Sequence, residues 1–471
     1  MHRTIAILGA GFSGTIAAVH LLRQNLGNGL RIILLERSGT FGRGLAYGTW
    51  DDNLVLNVPA GNMSALADEP AHFVSYVQNI DPHFSAGSFV PRRIYGDYLA
   101  DTLEQARLRS DSQLLCLSGE AIAVRRESLA GGFALELADG RKILADQVVL
   151  ALGHFPPANP PATADLSRTQ AYVANPWAEA ALDHIDGART VAVLGSGHTA
   201  VDTVFRLSSR NHLGKCFLIS RRGLLPHAHR FSPRRPPAVS RPAHLPPAAT
   251  ATVRGYLKAL RMEVRKRQAA GEDWRDVFNE LRPHTPEIWA QLPARERQRF
   301  LDRVVPYWDI HRHRLAPSAH LRLHRLIAAG QVEVVAGRVD RIERRGGDVC
   351  VIIRQRLDGQ TREITAGAVV NCTGPRYDLA VLESPLLRQL QGDGLLQRDP
   401  IGLGIHTDAQ YQLMDDAGRS VPNLYYLGPL LKAQRWEAIA VPELRVHSQQ
   451  LVRAMLAAIV MIAASHAHDL R

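Results

Sequence analysis

The sequence predicts an α/β fold made of two similar three-layer domains, and three observations carry that prediction. Gly9-Ala10-Gly11-Phe12-Ser13-Gly14 directly follows the apolar run Thr4-Ile5-Ala6-Ile7-Leu8. Gly195-Ser196-Gly197-His198-Thr199-Ala200 directly follows Thr190-Val191-Ala192-Val193-Leu194. After each, short strands and turns lead to an apolar strand ending in glycine, at 114–153 and again at 332–374. The order of events is repeated even though the residues are not, so the two halves read as Rossmann-like repeats with antiparallel β meanders.

Taken in order, residues 4–36 form a βαβ unit. Its helix runs from about Ser13 to Leu22, with Ile16, Val19 and Leu22 facing a sheet. Arg31 to Glu36 is the near-continuous apolar run expected of a buried parallel strand. Mixed loops and short helices are expected up to about Arg109. The first meander comprises Ala121–Val124, Phe133–Leu137 and a turn at Asp139-Gly140, before the strand Gln147–Leu152. In the second half, Val339–Ile342 and Val349–Ile353 are expected as separate strands, with a turn at Asp358-Gly359. Residues 226–250, rich in Pro, Arg and His, predict loop. Helices are expected at Val253–Gln268, Trp274–Leu281, Arg295–Val305 and Ala319–Ala329, as a helical insertion capping the second domain.

The 471 residues have room for two or three domains, and 46% apolar and 21% charged residues describe an ordinary globular chain. The net charge of +11 comes almost wholly from arginine. No zinc-ligand spacing and no RNA-binding signature accompany it, so nucleic acid is not expected as a partner. His311, His313 and Arg314 lie close together without a cysteine partner or clear ligand spacing, and no metal is expected. Cys116, Cys216, Cys350 and Cys372 are far apart and contain no C-x-x-C; all four are expected as small buried hydrophobes. The first strand begins within a few residues of Met1, which predicts no cleavable signal. The apolar run Leu451–Ala464 reads as a buried helix, not a span, so no membrane association and a cytoplasmic location are expected.

Each glycine string is a strand, a tight turn and a helix whose first amides favour a pyrophosphate. Two of them in one chain point to two adenine dinucleotides and electron transfer between them. Gly9, Gly11, Phe12, Ser13 and Gly14 form the first loop. Glu36, 27 positions after Gly9 at the end of the second strand, suits the ribose hydroxyls of an adenosine. Gly195, Gly197, His198 and Thr199 form the second loop, with His198 as a helix-start residue. There the corresponding strand, Cys216–Ser220, ends in Arg221-Arg222 and has no acid. Planar guanidinium groups suit a 2′-phosphate that an acid would repel, so the second site is expected to prefer NADPH over NADH.

Several blocks carry a family resemblance. Gly42-Arg43-Gly44-Leu45-Ala46-Tyr47-Gly48-Thr49, Leu56-Asn57-Val58-Pro59-Ala60-Gly61-Asn62-Met63-Ser64 and Pro91-Arg92-Arg93-Ile94-Tyr95-Gly96-Asp97-Tyr98 belong to the first half. Ser220-Arg221-Arg222-Gly223-Leu224-Leu225-Pro226, Trp308-Asp309-Ile310-His311-Arg312-His313-Arg314 and Ile439-Ala440-Val441-Pro442-Glu443-Leu444-Arg445 belong to the rest. Across nearly the whole chain these resemble the bacterial FAD/NAD(P)-binding oxidoreductase family. More distantly, the layout is similar to flavin-containing and N-hydroxylating monooxygenases. The resemblance implies FAD in the first site and NADPH in the second. Residues 1–186 and 379–471 would then form the FAD-binding domain. Residues 187–378 would form the NADP-binding domain, with its insertion at about 226–330.

The chain departs from those monooxygenases at three places. Leu152-Gly153-His154-Phe155-Pro156 replaces their A-T-G-x-x-x-P linker, their F-x-G-x-x-x-H-x-x-x-[YF]-P string is absent, and Gly428-Pro429 stands where relatives carry Gly-Asp. Around the flavin ring the resemblance places Asn57 and Met63. An amide there can bond a flavin edge, and a thioether can pack on a ring. Pro442 joins them as first residue of a final helix whose positive end would face the ring. Gly428 is a cofactor-binding candidate where relatives' Gly-Asp meets the flavin ribityl chain, a contact that Pro429 cannot make. No catalytic acid or base is identified. The expected function is an FAD-dependent, NADPH-reduced, monooxygenase-like oxidoreductase acting on a small molecule. Two alternatives stand beside it: a reductase or dehydrogenase with another electron acceptor, and a non-catalytic flavin-binding redox sensor or partner protein.

Overall fold

A computed structural model describes residues 3–24, 29–127, 132–167, 169–178, 180–230, 242–243, 245–247 and 252–469, with side chains to 459. The chain divides into two compact units. One comprises Met1–Thr49, Pro59–Phe155 and Tyr377–Arg471; the other comprises Trp50–Val58 and Pro156–Arg376.

The first unit is built on β1 (Arg3–Leu8), β2 (Leu30–Glu36), β3 (Gln113–Ser118), β7 (Gln147–Leu150), β15 (Gln412–Met414) and β16 (Ser420–Tyr426). They form a six-stranded sheet in the order β15-β16-β7-β1-β2-β3. All pairings are parallel except β15 with β16. Ile5, Ala6 and Ile7 of β1 are fully buried, as expected of a strand covered on both faces. A separate three-stranded antiparallel sheet holds β4 (Ala121–Arg126), β5 (Phe133–Leu137) and β6 (Lys142–Ala145).

Helices of this unit are α1 (Phe12–Leu22), α2 (Gly44–Tyr47), α3 (His72–Ile80), α4 (Arg92–Leu108), α12 (Pro385–Gly392) and α13 (Val441–Asp469). Every residue of α1 is buried, because α4 and α13 pack against it beside the sheet. Leu451, Val452 and Met455 bury one stripe of α13.

The second unit holds a seven-stranded sheet in the order β13-β12-β11-β10-β9-β14-β8. Its strands are β8 (Tyr172–Val173), β9 (Val191–Leu194), β10 (Cys216–Ser220), β11 (Val332–Arg345), β12 (Asp348–Gln355), β13 (Thr361–Ala366) and β14 (Ala368–Asn371). Residues 332–336 of β11 run parallel to β10, and residues 337–345 run antiparallel to β12. Thus Val339–Ile342 is not a strand of its own. The second meander grows out of the parallel sheet, whereas the first stands apart from it. Gly337 marks the change of partner: a Cβ there would lie 2.5 Å from Ile353 Cγ2 and 2.8 Å from Arg354 O.

Helix α5 (His198–Ser209) follows β9. The insertion contains α6 (Val253–Ala269), α7 (Trp274–Leu281), α8 (Thr285–Gln291), α9 (Ala294–Arg303), α10 (Val305–Arg312) and α11 (Pro317–Ala328). The Thr252 and Asp273 side chains cap α6 and α7 by accepting from the Gly255 and Arg275 amides. The single helix expected at Arg295–Val305 is two: α9 ends at Arg303 and α10 begins at Val305, with Pro306 in its first turn. Most of the loop expected at 226–250 lies outside the described residues.

Two further expectations are corrected. Cys116 is exposed, unlike the other three cysteines. It lies on β3, an edge strand whose faces are only partly covered. The segment before Arg109 is dominated by the 17-residue α4. No helix among the described residues is long and apolar enough to cross a membrane.

Candidate functional site

Two equivalent turns carry the candidate sites, one in each unit. In the first, the Gly9 amide donates to Leu35 O at 2.8 Å, tying the turn to the end of β2. Gly9 has φ +108°, and a Cβ on it would lie 2.3 Å from Ala151 O. A Cβ on Gly14 would lie 1.8 Å from Gly9 O. Both glycines are therefore required by backbone packing. Gly11 is different, since its nearest neighbour would be Gly44 Cα at an ordinary 3.7 Å. Phe12 and Ser13 open α1 and are buried, and no side chain caps the helix. Its first amides stay available to an anion.

Glu36 stands beside this turn. Its Oε2 accepts the Ala10 amide at 2.8 Å, and Oε1 accepts the Ser38 amide and hydroxyl at 3.1 and 3.0 Å. The carboxylate is thus fixed at the strand end where a ribose would lie. These residues suit the adenosine pyrophosphate half of a dinucleotide: a turn without side chains, an uncapped helix start and an oriented acceptor.

In the second unit the Gly195 amide donates to Ile219 O at 2.8 Å, and its Cβ would lie 2.3 Å from Cys372 O. Gly197 has open space around its missing Cβ. His198 is the first residue of α5, as expected, and its Nε2 lies 2.9 Å from His313 O. Thr199 follows in the same turn. The paired contacts, Gly9 to Leu35 and Gly195 to Ile219, align Glu36 with Ser220. Here the Ser196 hydroxyl donates to Ser220 Oγ (2.8 Å) and Leu224 O (2.6 Å), and the Gly223 amide donates to Ser220 Oγ (3.1 Å). A hydroxyl thus replaces the carboxylate. Arg221 is exposed, while the Arg222 guanidinium lies 5.6 Å from the Tyr307 ring centre with its buried Nε unpartnered.

The residues expected at a flavin ring fall in different places. Met63 is buried in the first unit after the short turn Ala60–Asn62. Asn57 belongs to the second unit, where its carbonyl oxygen lies 2.9 Å from His229 Nε2. Burial, followed by the Arg314 charge, holds the His229 imidazole down at about 3, so it is neutral. Gly428 has φ +145° directly after β16, next to the Leu427 amide that donates to Leu150 O. Pro442 is the second residue of α13, not the first, because the Leu444 amide already bonds to Ala440 O and draws Val441 into the helix.

Sequence reasoning missed Arg445. Its Nη1 donates to Ser64 O at 3.1 Å, joining the first turns of α13 to the Met63 segment. Tyr98 was missed too: its hydroxyl accepts the Ala65 amide at 3.1 Å and lies 2.8 Å from His72 Nδ1. Both lie in blocks already singled out, but one sequence does not say which loop a long side chain reaches.

Residues 6–155 match the family described as FAD-NAD(P)-binding. A Baeyer-Villiger monooxygenase of Streptomyces coelicolor is 29% identical over 211 residues, covering 43% of this chain and 35% of that protein. The chain therefore spans about a third of the length of the curated relative it matches. Among solved structures, the ornithine hydroxylase of Pseudomonas aeruginosa superposes with a TM-score of 0.65 at 16% identity, covering 96% of this chain and 98% of that one. The L-lysine 6-monooxygenase of Pseudomonas syringae gives 0.65 at 17%, with coverage of 97% and 100%. These likenesses show that the fold is shared with those structures over nearly the whole chain.

The first unit also holds a cluster of His154, Tyr377, Lys432 and Trp436. Lys432 Nζ sits 4.8 Å from the Tyr377 ring centre and 4.3 Å from that of Trp436. The His154 ring packs edge-on to Tyr377 at 6.2 Å. Burial, then the Lys432 charge, lowers the His154 pKa to about 4. His154 follows β7, so the departure from the usual linker puts a neutral imidazole there.

Proposed function

We propose that this chain is an FAD-dependent oxidoreductase reduced by NADPH, of monooxygenase type, acting on a small molecule. One observation carries the reading: two turns of the same construction end in opposite chemistry. Glu36 offers a fixed carboxylate to a ribose. Ser220 with Arg221 and Arg222 offers a hydroxyl and two guanidinium groups, a set that accepts a phosphorylated ribose.

When bound, FAD supplies the redox chemistry between NADPH and an acceptor. Gly9, Gly11, Phe12, Ser13, Gly14 and Glu36 would hold its adenosine pyrophosphate. Met63 would border its ring, Gly428 would lie along its ribityl chain, and Pro442 would stand in the first turn of the helix facing the ring. Gly195, Gly197, His198 and Thr199 would receive the pyrophosphate of NADPH. The activities of the similar proteins, a Baeyer-Villiger monooxygenase and two amino-acid hydroxylases, support oxygen as the acceptor. A cytoplasmic location belongs to the same reading.

The test is to mix the FAD-loaded protein with NADPH under nitrogen and then admit air. The flavin absorption should bleach, faster with NADPH than with NADH. On aeration, a small-molecule substrate should consume oxygen without an equal yield of peroxide. Failure to bleach overturns the NADPH reading. Bleaching with stoichiometric peroxide for every substrate tried leaves a reductase in place of a monooxygenase.

A further inference from the structure

The helical insertion of the second unit contains buried nitrogen donors that the dinucleotide reading does not use. Arg314 follows α10 and is only 5% exposed. Its Nη2 donates to Asn279 Oδ1 at 2.5 Å, and its guanidinium lies 5.9 Å from the Trp274 ring centre. Its Nε has no acceptor. Trp308, on α10, is 9% exposed, and its indole Nε1 also has no acceptor among the described residues. Phe278 packs 5.9 Å from Trp308 and 5.5 Å from Trp274, the ring beside Arg314. Buried N–H groups left without acceptors are costly unless a ligand completes them.

The charge around Arg314 points the same way. Asp273 and Asp276 are engaged by Arg230 and Arg275. Asp309 lies 3.8 Å from His313. The chain carries no Asp or Glu between Asp202 and Glu263, a stretch with twelve Arg or Lys residues. Burial, and then the charges of Arg312, Arg275 and Arg230, pull the Arg314 pKa down to about 9. Asp273 is the one opposing charge among the arginines that act on Arg314, and a further anion would stabilise this buried cation.

Beside these donors lies a wall of rings. His311 stacks on Phe278 at 5.2 Å and 15°, and Trp274 meets His311 at 5.0 Å and His227 at 5.3 Å. Trp274, His311 and His227 are half-buried, so the wall reaches the surface. Planar guanidinium, indole donor and aromatic wall together suit a carboxylate on an apolar body.

We propose that the insertion helices bind an organic carboxylate, with Arg314 Nε and Trp308 Nε1 as its hydrogen-bond donors. The inference goes beyond the dinucleotide reading and stands apart from it. Calorimetric titration of the whole FAD-loaded protein with phenylacetate and hexanoate, against neutral phenylacetamide, tests it. At least one acid should bind, and phenylacetamide should bind tenfold or more weakly than phenylacetate. Arg314→Gln and Trp308→Phe should each weaken the acid tenfold or more while leaving 2′,5′-ADP binding unchanged. Trp308→Phe keeps the ring packing and decides the matter if Arg314→Gln fails to fold. No binding of either acid, an amide as tight as its acid, or an unaffected Trp308→Phe overturns the proposal. Loss of 2′,5′-ADP binding in Trp308→Phe also overturns it, since the donors would then belong to the dinucleotide.

Discussion

At the scale of single residues, the asymmetry between the two turns rests on the residue one step beyond a shared backbone contact. The carbonyls of Leu35 and Ile219 accept the equivalent amides of Gly9 and Gly195, and the next residue is Glu36 in one case and Ser220 in the other. Arg222 is held by the Tyr307 ring of α10, so its guanidinium is positioned before any ligand arrives. Arg221 is exposed and has more conformations to lose. Arg222→Ala should therefore weaken NADPH binding about tenfold or more, on the scale of a charge-assisted hydrogen bond. Arg221→Ala should do less, and NADH affinity should change little in either variant. Titration with both nucleotides checks this; equal losses for NADPH and NADH would rule out the phosphate role.

At the scale of elements, strand-turn-helix was the most legible part because its glycines answer to backbone geometry. They are not all required for the same reason, however. Gly195→Ala would place a Cβ 2.3 Å from Cys372 O at φ +128°, which should cost on the order of 2–4 kcal/mol of stability. Gly197→Ala meets nothing within 4 Å, so its melting temperature should match that of the parent protein. Its Cβ would still stand where a pyrophosphate must approach, and NADPH affinity should fall about tenfold or more. Thermal unfolding beside nucleotide titration separates the two, and a destabilised Gly197→Ala would refute the distinction. Other elements were less legible. Val332–Arg345 looked like a short strand because its partner changes at Gly337, and local periodicity carries no record of partners. Cys116 looked buried because strand composition does not reveal which strand is an edge. Residues 50–58 sit in the second unit through tertiary bonds such as His229 to Asn57 and Asn53 to Ser209, which no local pattern encodes.

At the scale of the whole molecule, buried histidines set how each unit responds to acid. His20 on α1 and His447 on α13 are both lowered to about 4, with burial the largest cause. His154 is lowered to about 4 and His229 to about 3 in the same way. In the unfolded chain each would titrate near its ordinary value of about 6.5. Below that pH the unfolded chain takes up protons that the folded chain refuses, so stability falls as acidity rises. Above pH 6.5 the contribution is complete, and it drains away as pH drops from 6.5 toward 4. The carboxylates held low by arginines, such as Asp273, lose their contribution only at lower pH. His20 is 4% exposed with Nε2 unpartnered, so its share should be on the order of 1–3 kcal/mol at pH 4. The unfolding temperature should accordingly be flat from pH 8 to 7 and fall between 6.5 and 4. In His20→Gln that fall should be shallower, because one of the protons taken up on unfolding is gone. Calorimetry across this range on both proteins measures the difference, and parallel curves would show that His20 titrates normally in the folded chain.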